Sequence, residues 1–404
     1  MNTVHLARDL KAGGSGLARI SGLYIHIPFC ACRCYYCDFF AQAPGSEAAM
    51  DTHLAAVIQA IRRSAACGLL ADITTIYIGG GTPSYFGHGR LVQLAYTLGL
   101  SLDLTRVVEF TCEANPESLT PRLVADLYAL GVNRLALGAQ SFHDSELRAL
   151  GRIHDAAQIQ RALQAARLRF DNISLDLICG IPTQSLSSWQ QSLEAAVAAE
   201  VSHVSVYPLQ IEPHTVLEAQ ARSGHLVLAD EDEVATMLLV AADRLQAAGL
   251  HRYETASYAT RDRECQHNIC YWTGQAYLGV GAGAASMFNL SDGSRLRLHP
   301  ANDNPSNINT EALNRKQALA EDLMLGMRMM RGLSLKQIND AATLLPGLDA
   351  AIQELEALAL VERKDDRLVP STCGWLLGNE IFLRLMPDVL MRAPANNSTC
   401  HSIR

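Results

Sequence analysis

The sequence predicts an α/β protein: an open (β/α)6 partial barrel of the TIM type, followed by a smaller helical domain resembling a winged helix. Between residues 23 and 209, six β-rich runs alternate with segments of helical periodicity. Within each run, apolar residues alternate with polar ones. Past residue 210 the alternation of strands and helices stops and the chain becomes mostly helical.

The repeating units can be placed along the chain. Helical segments are predicted between the runs, for example at 49–67, 121–130, 156–168 and 187–200. Strands that are separated by helices pair in parallel, and six such units suffice for an open barrel. The predicted strands lie at residues 23–27, 74–79, 107–113, 133–140, 172–178 and 203–209.

The polar face of these strands indicates a curved sheet. A parallel sheet is normally covered by apolar contacts on both faces, and a filled barrel core is rich in Val, Ile and Leu. If the sheet curves, the apolar face meets the helices and the polar face lines a lumen that holds a polar ligand. A flat, doubly wound sheet remains the alternative. The polar face carries Tyr24, His26, Thr75, Tyr77, Gly79, Glu109, Thr111, Glu113, Arg134, Gln140, Ser174, Asp176, His203, Ser205 and Tyr207.

Domain boundaries follow from the same pattern. We expect a flexible tail at 1–20, the barrel at 21–250 with a last helix at 231–248, and a loop-rich segment at 251–310 with abundant Gly, Asn and Ser. A helical and winged domain is expected at 311–390, with a short hairpin strand beginning at Leu368, and a disordered tail at 391–404.

Bulk composition limits the partners. A net charge of −8 and the absence of long basic runs argue against a nucleic-acid-binding surface. Residues 1–20 have no apolar core typical of a signal peptide, and no apolar stretch reaches the roughly 18 residues of an integral membrane span. The 11 cysteines are mostly single and in apolar surroundings, which is typical of a reducing compartment. We therefore expect a cytoplasmic protein.

Four cysteines lie between residues 30 and 37, directly after the first predicted strand. Cys30, Cys34 and Cys37 have a C-x3-C-x2-C spacing, so three thiolates on one tight loop can hold three irons of a [4Fe–4S] cluster and leave the fourth iron open. Zinc is the alternative, with His26 or Asp38 as a fourth ligand, although no second cysteine pair accompanies this one. Cys32 is predicted to point away from the metal.

Further polar groups follow the predicted strands at the end where a barrel builds its active site. Gly79-Gly-Gly-Thr-Pro-Ser would let the backbone approach a polar ligand, although a structural turn explains it too. Glu113, Gln140 and Asp176 lie at or near strand ends, and Arg152 follows the fourth strand. Several polar groups that converge on one rim indicate a binding site.

A second cluster begins at His267, in the sequence His-Asn-Ile-Cys-Tyr-Trp. Such residues anchor many loops, but an imidazole beside aromatic rings is also how proteins hold haem. Cys270 contributes to either arrangement or merely fills space.

These motifs together resemble a known family. In order, the chain carries Leu-Tyr-Ile-His-Ile-Pro-Phe-Cys, Gly-Gly-Gly-Thr-Pro-Ser, Glu-Ala-Asn-Pro-Glu and His-Asn-x-x-Tyr-Trp. The sequence resembles the radical S-adenosylmethionine (SAM) superfamily, and within it the oxygen-independent coproporphyrinogen III oxidase family, most closely its haem-chaperone branch. The resemblance runs from Tyr24 into the C-terminal domain.

The resemblance implies three cofactor or cargo sites. Cys30, Cys34 and Cys37 would bind the [4Fe–4S] cluster, with SAM chelating the open iron, and His267 would be linked to haem. The positions that match SAM-contacting residues of the family are Tyr24, Tyr36, Gly80, Gly81, Thr82, Glu113, Gln140, Arg152 and Asp176.

Two functions remain open within this family. The oxidase cleaves SAM to a radical and decarboxylates propionate side chains to vinyl groups, whereas the chaperone binds haem and delivers it to acceptor haemoproteins. Phe39, where the oxidase has a fourth cysteine, and the His267 motif favour the chaperone, and the oxidase also carries a longer segment ahead of its cysteines. If SAM is cleaved, an electron donor such as flavodoxin or ferredoxin is implied. A radical SAM enzyme with another substrate is the third possibility.

Overall fold

A computed structural model of the protein describes residues 7, 16–43, 45–224, 226–301 and 307–386. These residues form two compact units. The first holds the described residues up to Tyr271 together with Gln275–Ser291 and Leu296–Glu311, and the second holds Trp272–Gly274, Asp292–Arg295 and the described residues from Ala312 onward. Most of the predicted tail at 1–20, and all of that at 391–404, lie outside the described residues.

The first unit is built on a twelve-stranded sheet. Its central six strands, β1 to β6, are parallel and follow the predicted positions closely. They are β1 (Ile20–Ile27), β2 (Thr75–Gly80), β3 (Glu109–Ala114), β4 (Arg134–Gln140), β5 (Ile173–Cys179) and β6 (His203–Pro208).

The order of these strands excludes a flat, doubly wound sheet. They pair in the order of the sequence, β1 to β6, with no reversal. Right-handed crossovers between parallel strands in such an order place every connecting helix on the same face of the sheet. The other face is therefore the inside of a curved sheet, and the predicted open partial barrel is confirmed because β1 and β6 do not pair with each other.

The two faces of the strands differ as the alternation predicts. The apolar face is fully buried beneath the helices, for example at Ile25, Ile76 and Leu175. The polar face is also largely buried, but it holds groups such as Glu109, Arg134 and other hydrogen-bonding side chains. On β4, Ala136 and Gly138 share a face with Arg134 and are small, and the side chains of Asn115, Gln140 and Arg152 come close to Gly138.

Helices cover the outer face, and most begin at a residue whose side chain caps the helix. Asp155 and Ser185 form capping boxes, and Ser46, Thr120, Thr215 and Asp230 each accept from a backbone N–H. The helices of this unit are α1 (Glu47–Ala66), α2 (His88–Ser101), α3 (Pro121–Ala129), α4 (Asp144–Ala149), α5 (Ala156–Arg167), α6 (Leu186–Ala198), α7 (Val216–Arg222), α8 (Glu231–Ala247) and α9 (Gln266–Trp272).

The segment at 251–310 differs from the prediction. It is not loop-rich, because six strands and α9 lie in it or begin in it, and these strands extend the barrel sheet at both edges. Strands of two to six residues are too short to show periodicity in the sequence, and glycines such as Gly279 conceal them further. The added strands are β7 (His251–Arg252), β8 (Ser257–Ala259), β9 (Ala276–Val280), β10 (Ser286–Asn289), β11 (Arg295–Pro300) and β12 (Ile308–Leu313).

The second unit has its own apolar core, which includes Leu323, Ile338, Leu355 and Ile381. Its three short strands pair in the order β13–β15–β14, and the last two form a hairpin. Helices flank this sheet, which gives the helical and winged arrangement. The elements are α10 (Arg315–Gly326), β13 (Leu333–Ser334), α11 (Leu335–Ala342), α12 (Leu348–Ala357), β14 (Val361–Lys364), β15 (Arg367–Pro370), α13 (Thr372–Leu376) and α14 (Gly378–Leu385).

Candidate metal-cluster and cofactor site

The cysteine loop leaves the carboxyl end of β1 and is fixed by backbone hydrogen bonds. The Gln42 N–H donates to Pro28 O at 2.8 Å, and the Cys30 N–H donates to Gln42 O at 3.1 Å, so the two ends of the loop pair with each other. In its middle, the Tyr35 N–H donates to Leu150 O at 2.9 Å. The loop is therefore held against the segment after β4 as well as against its own stem.

Two of the three candidate ligands accept hydrogen bonds from the rim. The Thr82 hydroxyl donates to Cys30 Sγ and the Arg152 guanidinium donates to Cys34 Sγ, each at 3.4 Å. Burial, with a contribution from nearby Cys34, raises the pKa of Cys30 and raises that of Cys37 to about 11. The three thiols therefore share one partly buried location with a cation beside it, which fits thiolate ligands of an iron–sulfur cluster.

Cys32 is separate from this group. It is exposed, and its Sγ lies 3.7 Å from Arg33 O. Among the described residues, no group of three or more His, Cys, Asp or Glu side chains, the three thiols included, is arranged to hold a single metal ion. His26, which the sequence offered as a fourth zinc ligand, has both ring nitrogens in hydrogen bonds with the protein.

The glycine-rich turn after β2 lies directly beneath the cysteine loop. The Gly81 N–H donates to Ile27 O and the Thr82 N–H donates to Phe29 O, both at 2.8 Å. A Cβ on Gly81 would lie 2.8 Å from Phe29 O and 3.0 Å from Cys30 Sγ. The sequence needs glycine here because the backbone of this turn touches the backbone of the cluster loop.

Glu113 lies at the same rim, near the end of β3. Its carboxylate accepts from the Tyr77 hydroxyl at 2.7 Å and from the Gly80 N–H at 3.1 Å. Burial raises the pKa of Glu113 to about 7; Asp176 adds to the rise, whereas the two hydrogen bonds and Arg134 oppose it. A carboxylate held in this way can receive a cationic group such as the ammonium of an amino acid.

Arg152 connects several of the predicted residues. Its Nη2 donates to Asn115 Oδ1 and to Gly138 O, both at 2.8 Å, while its Nη1 reaches Cys34. Asn115 in turn donates to the Thr82 hydroxyl at 3.0 Å. Asn115 was not among the predicted site residues, although it lies in the Glu-Ala-Asn-Pro-Glu motif.

His26 is a second residue that the prediction did not assign to the SAM site. Its Nε2 lies 2.9 Å from Phe40 O, and since a carbonyl only accepts, Nε2 carries the proton. Burial lowers the pKa of His26, so Nδ1 is unprotonated and accepts from the Tyr24 hydroxyl at 2.9 Å. His26 thereby orients the predicted SAM residue Tyr24 and holds the cluster loop at Phe40.

Three other predicted SAM residues are placed as follows. Tyr36 is partly buried beside Arg152 and Cys34, and burial raises the pKa of its hydroxyl. Gln140 ends β4 with a φ of 66°, a left-handed conformation, and its amide nitrogen approaches Gly138. Asp176 faces the lumen, where burial raises its pKa while a hydrogen bond from Ser205 opposes the rise. Tyr36 belongs to the cysteine loop itself, whereas Gln140 and Asp176 belong to β4 and β5.

His267 is not part of this group. Its Nδ1 lies 2.9 Å from the hydroxyl of Thr75, the first residue of β2. The cysteine loop instead packs on the turn after Gly80, the last residue of β2. At about 3.3 Å per residue, the two ends of β2 are roughly 16 Å apart. His267 is 1% exposed, and its Nε2 lies 2.8 Å from the Tyr271 hydroxyl.

Comparison with known proteins agrees with this architecture. The model of the radical SAM superfamily matches residues 24–196, and the model of the HemN C-terminal domain matches residues 313–377. The curated heme chaperone HemW of Bacillus subtilis is 33% identical over 375 residues, covering 89% of this chain and 97% of that protein. The chain belongs to the HemW family of radical SAM proteins.

A second curated relative supports this assignment, and a solved structure shows the same fold. Heme chaperone HemW of Escherichia coli is 36% identical over 276 residues, which cover 68% of this chain and 72% of that one. The solved structure of the Escherichia coli coproporphyrinogen III oxidase HemN, described as a radical SAM enzyme, matches with a TM-score of 0.78 at 21% identity, over 94% of this chain and 93% of that one. At this level of identity the likeness shows the fold.

Membership of the radical SAM superfamily implies a [4Fe–4S] cluster and SAM as cofactors. When bound, such a cluster would supply an iron that SAM can chelate and an electron that can reduce SAM. In this chain one loop carries the three thiols that would hold the cluster, Thr82 and Arg152 donate hydrogen bonds to two of them, and Glu113 lies beside Gly80 at the rim.

None of the helices in the described ranges combines the length and the apolar composition that a bilayer span requires.

Proposed function

We propose that the protein is a haem chaperone that carries a [4Fe–4S] cluster and SAM, binds haem and delivers it to acceptor haemoproteins. The observation that carries the proposal is the extent of the match to the HemW relatives. The alignment spans 97% of the Bacillus subtilis heme chaperone, so it includes both the barrel and the C-terminal domain. Proteins with this name are matched in several bacteria at 31–36% identity.

In this proposal Cys30, Cys34 and Cys37 ligate the cluster. SAM lies at the rim beside the cysteine loop, next to the turn formed by Gly80, Gly81 and Thr82, and Glu113 receives its amino group. Their mutual hydrogen bonds support this assignment, since Thr82 reaches Cys30 and Glu113 accepts from Gly80. The other residues proposed to contact SAM are Tyr24, Tyr36, Gln140, Arg152 and Asp176.

The haem-linked residue requires a revision. His267, proposed from the sequence, has both ring nitrogens bonded to protein hydroxyls and is buried, so it is not available to coordinate iron in this conformation. Coordination by His267 would require the ring to give up its hydrogen bond to Thr75 or to Tyr271. The chaperone proposal does not depend on this residue, because it rests on the whole-length family match.

The remaining parts of the proposal concern partners and location. The partners are haem, acceptor haemoproteins and, if SAM is cleaved, a flavodoxin or ferredoxin as electron donor. Nucleic acid is not proposed as a partner because the net charge is −8. The proposed location is the cytoplasm.

The oxidase is the alternative that an experiment must separate. Reconstituted protein is incubated anaerobically with coproporphyrinogen III, SAM and reductant, and a second portion is titrated with haem. We expect the coproporphyrinogen III to remain unchanged. We also expect stoichiometric haem uptake, measured by the Soret band. Production of protoporphyrinogen without haem uptake would show that the protein is the oxidase and would contradict the chaperone proposal. A Cys34→Ser variant is the control, because it should lose the cluster and with it any SAM-dependent conversion.

A further inference from the structure

The His-Asn-x-x-Tyr-Trp motif lies at the end of the barrel that is opposite the cluster loop. Glu109, the first residue of β3, accepts from the backbone N–H groups of Gln266 at 2.8 Å and His267 at 3.0 Å. The Cys265 thiol lies 3.4 Å from the same carboxylate. A buried carboxylate of the barrel thus fixes the start of α9, and α9 covers the amino-terminal ends of the strands.

His267 projects from α9 into the barrel and is fixed at both ring nitrogens. Nδ1 pairs with the Thr75 hydroxyl at 2.9 Å and Nε2 with the Tyr271 hydroxyl at 2.8 Å. Burial lowers the pKa of His267 to about 3, so the ring is neutral, and one nitrogen donates while the other accepts. The barrel leaves space for it at Gly22, where a Cβ would lie 3.3 Å from Cε1 of the ring.

Tyr77 connects the ring of His267 to Glu113, a residue of the proposed SAM site. It stacks on Tyr77, with ring centroids 5.2 Å apart and planes inclined by 29°. The Tyr77 hydroxyl donates to Glu113 Oε1 at 2.7 Å. The remaining oxygen of Glu113 accepts from Gly80, in the glycine-rich turn. An unbroken series of contacts therefore runs from α9 to the rim.

We propose that His267 is a positioning residue of the SAM site: it holds the ring of Tyr77, and Tyr77 holds the carboxylate of Glu113 in the orientation that receives SAM. The proposal rests on the proposed SAM contact of Glu113, and it is independent of whether the protein is a chaperone or an oxidase. It gives the motif a role in cofactor binding through the barrel interior in place of iron coordination.

The chain offers a matched control. His203, on β6, is also 1% exposed and is also fixed at both nitrogens, by the Ser174 hydroxyl at 2.8 Å and the Tyr253 hydroxyl at 3.0 Å. Its ring packs edge-on against Tyr253, whereas the imidazole that stacks on Tyr77 is that of His267. Replacing either histidine by glutamine removes a buried imidazole with the same kinds of partner. Only the change at His267 removes the support of Tyr77.

The test measures the dissociation constant of SAM on the full, cluster-reconstituted chain by equilibrium dialysis, with iron content recorded for each variant. We expect about tenfold weaker SAM binding for His267→Gln and for Tyr77→Phe. Tyr77→Phe removes the hydrogen bond to the Glu113 carboxylate, and His267→Gln removes the ring that supports Tyr77. His203→Gln should stay within about twofold of the unchanged protein. The double variant His267→Gln/Tyr77→Phe should bind no more weakly than Tyr77→Phe alone, because the two residues act in series.

Several results would overturn the proposal. Unchanged SAM affinity in Tyr77→Phe would do so even if His267→Gln failed to fold. Equal weakening in His203→Gln would show a general structural effect, and additive losses in the double variant would show that His267 acts by another route. A normal SAM affinity together with an altered Soret band of haem-loaded His267→Gln would assign the residue to iron coordination. If the unchanged protein bound no SAM, the proposed SAM site itself would fail.

Discussion

Gly81→Ala provides a sharp test of how the barrel holds the cluster loop. The added Cβ would lie 2.8 Å from Phe29 O, 2.9 Å from Phe29 N and 3.0 Å from Cys30 Sγ. Two of these atoms belong to the backbone, so no side-chain rotation relieves the overlap. Reaching an ordinary contact of 3.4 Å requires the loop backbone to retreat by about 0.6 Å. Ligand constellations tolerate displacements of about 0.5 Å, so the cluster should be lost or become labile.

Overpacking of this kind typically lowers the free energy of unfolding by about 1–3 kcal/mol. The assay is iron and sulfide content per chain after anaerobic reconstitution, together with thermal unfolding. We expect the unchanged protein to hold about four irons and Gly81→Ala fewer than about half as many. Gly89→Ala is the control, because nothing lies within 4 Å of its added Cβ. A Gly81→Ala protein with full iron content and unchanged unfolding would refute this account of the loop.

Three other predictions concern the same site. Cys32→Ser should keep the cluster and Cys34→Ser should lose it, because Cys32 is exposed whereas Cys34 is partly buried beside Arg152; equal iron and sulfide losses would contradict the ligand assignment. Arg152→Lys should weaken SAM binding and make the cluster more sensitive to chelators, since a single ammonium does not reproduce three contacts in a plane; chelation kinetics like those of the unchanged protein would contradict this. SAM affinity should rise about tenfold from pH 6 to pH 8 as Glu113, with a pKa of about 7, loses its proton, and Glu113→Gln should show weak, pH-independent binding. A flat affinity profile over this range would exclude Glu113 as the group that receives the SAM amine.

The titration of Glu113 changes the stability of the fold in the opposite direction to SAM affinity: stability falls as the pH rises. The pKa of Glu113 in the folded chain, about 7, is above its ordinary value of 4.5, so the folded state binds the extra proton between these values. The stabilisation from this proton is present below pH 4.5 and is lost as the pH rises through 7. SAM, as a cation, should compensate for the loss when it binds.

The sequence predicted the architecture because its signals are periodic. Strand and helix alternate over six units, and the alternation of side chains within each strand was enough to assign residues such as Glu113 and Asp176 to the lumen. The curvature followed from one physical conflict, a parallel sheet with a polar face. The strand order agrees, since β1 to β6 pair without a reversal.

Other features could not be predicted because they depend on tertiary contacts. The strands after residue 250 are short and join both edges of the sheet, so neither their existence nor their pairing shows in a local pattern. Asn115 bonds to Thr82, 33 positions away in the sequence, and His26 bonds to Tyr24, two positions away on the same strand. Only the folded geometry reveals these hydrogen bonds. The motif at His267 was recognisable, but its burial at the far end of the barrel was not.

The most direct test of the proposed function is transfer of haem. The reconstituted protein is loaded with one equivalent of haem, freed of excess haem, and mixed with a soluble b-type cytochrome from which haem has been removed. The account predicts that the Soret spectrum of the holo-cytochrome appears as the spectrum of the donor declines, with the donor released unchanged. A protein that fails to take up haem, or that retains it while the cytochrome stays empty, would contradict the claim that this chain is a haem chaperone.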